Sequence, residues 1–128
     1  MIPKFRAWMK SLKWMCDVTN ISFDSKFVDI CHQGDTERHT EMSVEFGEIK
    51  LMRSTGLRDM NNREIFEGDI LKNNKYITSV FYERGAYCVK FRRTTNTTVT
   101  MNVRSFIEKY KTKIVGNIYE NPELLEGE

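Results

Sequence analysis

Proline, glycine and cysteine are all scarce in this chain, and each scarcity closes off a class of protein. Two prolines and seven glycines leave no Pro-rich or Gly-rich linker. Three cysteines, Cys16, Cys31 and Cys88, are widely spaced and odd in number. A secreted disulfide scaffold of this size carries a denser, even set, so reduced thiols in a cytoplasmic protein are expected. No stretch approaches the roughly 20 apolar residues of a membrane-spanning helix, so no membrane association is expected. Lys4, Arg6 and Lys10 interrupt the first ten residues, so no apolar signal-peptide core is expected. A phosphate-binding glycine loop and a nucleophile elbow are both missing. The net charge of +2 is too small by itself to imply a polyanionic partner.

What is present is a core and a strand pattern. Hydrophobic residues are 40% of 128 and charged residues 30%, the balance of one compact domain or of two very small ones. β-branched and aromatic residues come in brief runs broken by Asn, Asp, Gly and Ser. Lys4–Trp8 and Leu12–Val18 read as a hairpin, and Ile21–Phe23 with Phe27–Ile30 as a second. Gln33–Thr40 reads as a loop. Val44–Met52 alternates as a strand with Gly47 as a bulge. Arg53–Leu57 reads as a turn, Asn61-Asn62 as a hairpin tip and Glu67-Gly68-Asp69 as a second sharp turn. Tyr76–Glu83, Ala86–Arg92 and Thr97–Val103 read as a three-stranded meander. Phe106, Ile107 and Tyr110 form one apolar stripe, which predicts a short helix at Val103–Tyr110 capped by Asn102. Ile114–Tyr119 returns as a strand, and Asn121-Pro122 reads as a helix start.

The expected fold is therefore all-β with one short helix. A small N-terminal β-sheet over residues 1–52 would lie beside an SH3-like, partly open barrel over residues 53–128 with a C-terminal tail. Gly56, Gly68, Asp69, Gly116 and Asn117 are the candidate turn and close-approach residues. Gly68 permits a backbone bend that a side chain hinders, and Asp69 is suited to accept backbone amides in that turn.

Three segments together carry a family resemblance. They are Phe5-Arg6-Ala7-Trp8, then Leu51–Asp59 continuing through Asn61 to Glu64–Ile70, and finally Val115–Leu125. In this order and spacing the chain resembles the YopX family of small phage and prophage proteins. It departs from the family pattern at Asn61-Asn62, where Asn-Gly is common, and at Met9, where an acid is common. The resemblance implies an all-β protein with an SH3-type barrel, encoded by a phage or an integrated prophage. It implies no activity and no catalytic residues.

Residue chemistry gives little support for an enzyme. Glu64, Glu67 and Asp69 are paired carboxylates, but they sit in a turn, where acids cap amides. Cys16, Cys31, His32 and His39 are metal-ligand types without the paired spacing of a zinc site. The expectation is a non-catalytic protein with no metal, no cofactor and no small-molecule substrate.

Charge is distributed unevenly. Residues 71–116 hold ten Lys/Arg against two acids, net +8, while residues 117–128 hold four glutamates, net −4. Lys72, Lys75, Lys90, Arg92 and Arg93 are interleaved with Tyr76, Phe81, Tyr82, Tyr87 and Phe91, a composition suited to phosphates and stacked bases. The competing reading puts the aromatics in the core and leaves the cations as a solvated face or a partner for the acidic tail. The leading functional expectation is a non-catalytic protein-interaction module that binds a protein partner or its own copies. The alternative is a nucleic-acid-binding protein that uses residues 71–116.

Overall fold

The structure, a computed structural model, describes residues 4–126. The chain divides into two compact units, Met1–Arg53 and Ser54–Glu128. Both are built from antiparallel strands, and the protein is all-β, with one short α-helix among the described residues. Among the described residues no helix is long and apolar enough to cross a membrane.

The first unit holds β1 (Phe5–Met9), β2 (Trp14–Ser22), β3 (Phe27–His32), β4 (Met42–Glu45) and the start of β5 (Ile49–Arg58). Strand order is β4-β3-β2-β1-β5, so three of its four pairings join neighbours in sequence. Hairpin registers such as Ala7↔Cys16 and Val28↔Val44 bring alternate residues onto one face. Ala7, Met9, Cys16, Val28, Ile30, Val44 and Ile49 make that unit's core. Gly47 is not a strand bulge as expected: it lies in a 3-10 turn, Phe46–Glu48, that precedes β5. Glu48 reaches back to accept the Glu45 amide at 2.8 Å, which closes the turn and ends the strand at Glu45.

The second unit takes the rest of β5, then β6 (Glu64–Phe66), β7 (Asp69–Lys72), β8 (Ile77–Ser79), β9 (Phe81–Glu83), β10 (Ala86–Thr94) and β11 (Thr97–Asn102). Helix α1 (Val103–Lys109) and β12 (Lys113–Asn117) follow. The strands pair as β5–β6, as β12-β7-β8 and as β11-β10-β9, and among the described residues these sheets are open and form no closed barrel. Ile65, Leu71, Val80, Val89, Phe91, Val103, Phe106 and Ile114 form its core. The helix starts where Asn102 Oδ1 accepts the Arg104 amide at 2.8 Å, and it buries Val103 and Phe106 on one face.

Several expected boundaries move. The strands expected at Leu12–Val18 and Ile21–Phe23 are one continuous strand, Trp14–Ser22. Arg53–Leu57 is not a turn but part of β5. Its Ser, Thr and Gly act within the strand: Ser54 Oγ accepts the Gly56 amide, and Thr55 Oγ1 donates to the Ile65 carbonyl at 2.7 Å. Gly56, at φ +77°, absorbs the register shift between Ser54 and Arg58 without ending the strand. Tyr76–Glu83 is two strands rather than one, because Val80 donates its amide to Asp69 and accepts one from Gly68. That crossing lets the chain leave β7 and pair with β10. The last strand stops at Asn117 instead of Tyr119, because the Asn117 side chain accepts the amides of Tyr119 and Glu120 and turns the backbone. The Asn121-Pro122 signal yields a 3-10 turn, Pro122–Leu125, which packs against β8 of its own unit. Asn121 does not cap it; its Oδ1 accepts the Asn117 amide at 3.2 Å.

Candidate nucleic-acid interface

The turn residues organise the second unit. Gly68 lies at φ +84°. Its amide donates to Val80, and its carbonyl accepts the Ile118 amide at 2.8 Å, so both of its polar groups join other elements. Asp69 does not face water as turn acids usually do. It is 2% exposed, and its Oδ2 accepts the Phe66 amide at 2.7 Å. Asn117 is also buried, and its Nδ2 donates to Glu120 at 2.7 Å. Gly116 lies at a register shift opposite Ile70, and an added Cβ there would stand 2.5 Å from Asn121 Oδ1.

A second buried carboxylate, Asp59, escaped sequence reasoning. Its Oδ1 accepts the amides of Asn61 and Arg63, and its Oδ2 accepts that of Ile114, 55 residues away, at 2.8 Å. The signal was available in part: an Asp two residues before an Asn in a turn is a common backbone acceptor. The long-range bond to Ile114 had no local trace.

These contacts decide the chemistry of the acids. Asp59 and Asp69 are occupied by backbone amides, and Glu64 accepts the Ser54 hydroxyl. The thiols of Cys16 and Cys31 are buried. All three cysteines are free. Burial, followed by the neighbouring Cys31 and Asp17, pushes the Cys16 thiol up to about 11. Burial is also the first cause that raises Cys31, followed by Asp17, Asp35 and Glu41, with Arg38 opposing. A thiol held protonated at neutral pH is a poor nucleophile and metal ligand. His32 lies opposite Cys16 in register, but the Cys16 thiol points to the Trp14 carbonyl and the His32 ring stands edge-on to Trp14 at 4.7 Å. His39 instead meets Glu37 at 3.2 Å.

The basic residues are brought together more closely. A groove of about 550 Å³ on the second unit is lined by Lys75, Tyr76, Lys90, Phe91, Arg92 and Arg93, with Ile77 and Thr98 completing the wall. Four of the five candidate cations therefore meet around one concavity. Lys72 is not in this lining; it sits on β7 opposite Lys113 of β12. Alternation along β10 explains the arrangement: Val89 and Phe91 are buried while Lys90 and Arg92 are exposed. Among the described residues, no ion pair involves Lys75, Lys90, Arg92 or Arg93.

The aromatics split between core and surface. Phe91 is 6% exposed and belongs to the core, as the competing reading held. Tyr76 is half-buried and rests on Phe91 with ring centroids 4.2 Å apart, while Phe91 rests on Phe106 at 5.5 Å. Tyr82 is exposed and lies 5.1 Å from its cross-strand partner Tyr87. Phe81 sits on the outer face beneath the Lys90 ammonium, 6.0 Å from the ring centre.

The YopX protein family matches residues 4–126, nearly the whole length. The chain belongs to the YopX family. The crystal structure of protein EF1440 from Enterococcus faecalis is similar to it, with 31% sequence identity and a TM-score of 0.63 over 98% of this chain and 99% of that one. No curated protein matches the chain. In this YopX chain, the segments that carried the resemblance hold Asp59, Gly68, Asp69 and Asn117. Their shared feature is backbone hydrogen bonding that fixes the fold. The groove cations lie outside those segments.

Proposed function

We propose that this YopX-family chain is a non-catalytic binding module, encoded by a phage or prophage and working in the bacterial cytoplasm, whose ligand is a nucleic acid held at the basic groove. The observation that carries this reading is the convergence of Lys75, Lys90, Arg92 and Arg93 on one concavity, with no ion pair to any of them among the described residues. Cations so placed release condensed counterions when phosphate replaces water, which gives affinity without reading sequence. The non-catalytic part rests on the occupied carboxylates Asp59 and Asp69 and on the raised thiols. Fluorescence anisotropy with labelled single-stranded and duplex oligonucleotides tests the reading. Binding should weaken with salt at a log–log slope of about −0.7 per phosphate for single strands or about −0.9 for duplex. Replacing Arg92 and Arg93 together by alanine should weaken binding to all sequences alike. No binding at low salt would sink the proposal.

The SH3-like reading of residues 53–128 belongs to the same proposal. Its support is the single chain run that serves two sheets, β8 on β7 and β9 on β10, tied across by the Thr78 hydroxyl donating to the Lys90 carbonyl at 2.7 Å. A second reading, a protein partner or self-association, is favoured by β11. Among the described residues that strand pairs with β10 alone, and its other edge is placed for strand addition. Sedimentation of the purified chain over a concentration series tests the self-association form, and a constant monomer mass would remove it.

A further inference from the structure

The groove does not stand alone. A second hollow of about 400 Å³ is lined by Thr78, Ser79, Phe81, Glu83 and Lys90. Lys90 lines both hollows, and both follow the seam where β8 runs beside β10. Each hollow has one aromatic side chain in its wall that is neither buried nor fully exposed, Tyr76 in the first and Phe81 in the second. Lys75, Lys90, Arg92 and Arg93 line the first hollow with Tyr76, and Lys90 lines the second with Phe81. Lys90 and Arg92 share a strand face at a spacing of about 7 Å, taking roughly 3.4 Å per residue. Glu83 stands in the wall of the second hollow, where its carboxylate would repel a phosphate.

This combination fits one kind of nucleic acid better than another. A duplex presents its phosphates on a rigid cylinder with the base faces stacked away inside, and its major groove alone is about 12 Å wide. It would touch the rim cations and leave the two aromatic walls unused. A single strand has free base faces and a flexible backbone, and base–aromatic stacking tolerates any sequence. Tyr76 is suited to such a platform because its ring is already braced on Phe91 and stands edge-on to Tyr110 at 5.5 Å. Little side-chain freedom is left to lose on binding. The Lys90 ammonium lies over Phe81, 6.0 Å from the ring centre, and a base that takes that ring face moves the flexible ammonium aside towards the adjoining phosphate.

The geometry points to a single-stranded nucleic-acid track along the β8–β10 seam, with one base against Tyr76, the next against Phe81, and the intervening phosphate at Lys90. This rests on the nucleic-acid reading above and narrows it to single strands recognised by base faces as well as by charge.

The test uses the full chain and four fluorescent probes at low salt: a thymidine decamer, an abasic decamer with the same phosphates, a duplex decamer, and a poly-glutamate peptide. The thymidine decamer should bind at least about fivefold more tightly than the abasic one, since each stacked base contributes well above that factor at its upper range. Phe81→Leu keeps apolar bulk and removes the ring face. It should shrink that preference while leaving abasic binding unchanged, with an unaltered melting temperature confirming the fold. Equal binding of thymidine, abasic and duplex probes would overturn the single-strand track and leave the nucleic-acid reading standing. A preference unchanged in Phe81→Leu would overturn the placement of a base on that ring. Binding of poly-glutamate with the oligonucleotides ignored would overturn both readings in favour of an acidic protein partner.

Discussion

The two units solve the same problem, fixing an antiparallel register, by different means. In Met1–Arg53 three of the four strand pairings join neighbours in chain order, the fourth brings β5 back beside β1, and apolar alternation decides which face goes inward. Several side-chain bonds of that unit lie at the surface, as where Ser43 donates to Asp29. In Ser54–Glu128 the pairing of β7 with β12 joins segments more than forty residues apart. Here buried carboxylates act as clamps, Asp59 on Ile114 and Asp69 on Phe66. Local turns need little loop closure, so apolar pattern suffices for them. Distant strands gain a unique register when a buried polar group is satisfied in only one alignment. Lys75, Lys90, Arg92 and Arg93 take no part in these carboxylate clamps.

The sharpest way to break this comparison is to remove one clamp from each unit. Asp59→Ala strands three backbone amides, one of them buried, and should cost about 3 kcal/mol or more in urea unfolding. Asp29→Ala removes a surface bond and should cost no more than about 1 kcal/mol. Similar costs for the two would show that the second unit's register does not depend on its carboxylate.

A smaller effect is expected at the bend that joins three elements of the second unit. Gly68→Ala forces an L-residue to φ +84°, at a cost of about 1–2 kcal/mol. The same denaturation experiment measures it, and a neutral result would mean that the turn relaxes without disturbing Val80 and Ile118.

The units should also part company at alkaline pH. The Cys16 thiol has its folded value raised from 9.0 to about 11, so the folded state holds a proton that the unfolded chain has already lost. Its stabilising contribution is complete below pH 9 and is lost as pH rises through about 11. Tryptophan fluorescence during base titration, with Trp8 and Trp14 both in the first unit, should report loss of that unit across this window. Cys16→Ala should flatten the transition. At pH 8 the half-buried Cys88 should react with a thiol reagent well before the buried Cys16 and Cys31.

The smallest effect concerns the tail. Leu124 and Leu125 belong to a turn that packs against β8 of the same chain. Deleting residues 121–128 should therefore leave the sedimentation mass unchanged and lower stability modestly. A fall in mass would show that the tail docks on a neighbouring molecule instead.

Much of this architecture was legible because its signals are local. The period-two runs at Phe5–Trp8 and Val28–Ile30, the Asn102 cap with Phe106 on its helix face, and the Gly68-Asp69 bend each depend on residues a few positions apart, so the order of side chains along the chain determined them. Alternation alone also put Phe91 inside and left Lys90 and Arg92 outside. Tertiary structure decided the rest. Val80 divides one apolar run into two strands because Gly68 and Asp69 bond it from outside. Asp59 becomes a clamp only when Ile114 arrives beside it. Lys75 joins Arg92 and Arg93 only because the turn before β8 folds back towards β10. Hydrogen bonds and electrostatic clusters depend on distance in space, and for segments this far apart in sequence that distance exists only once the sheets have formed.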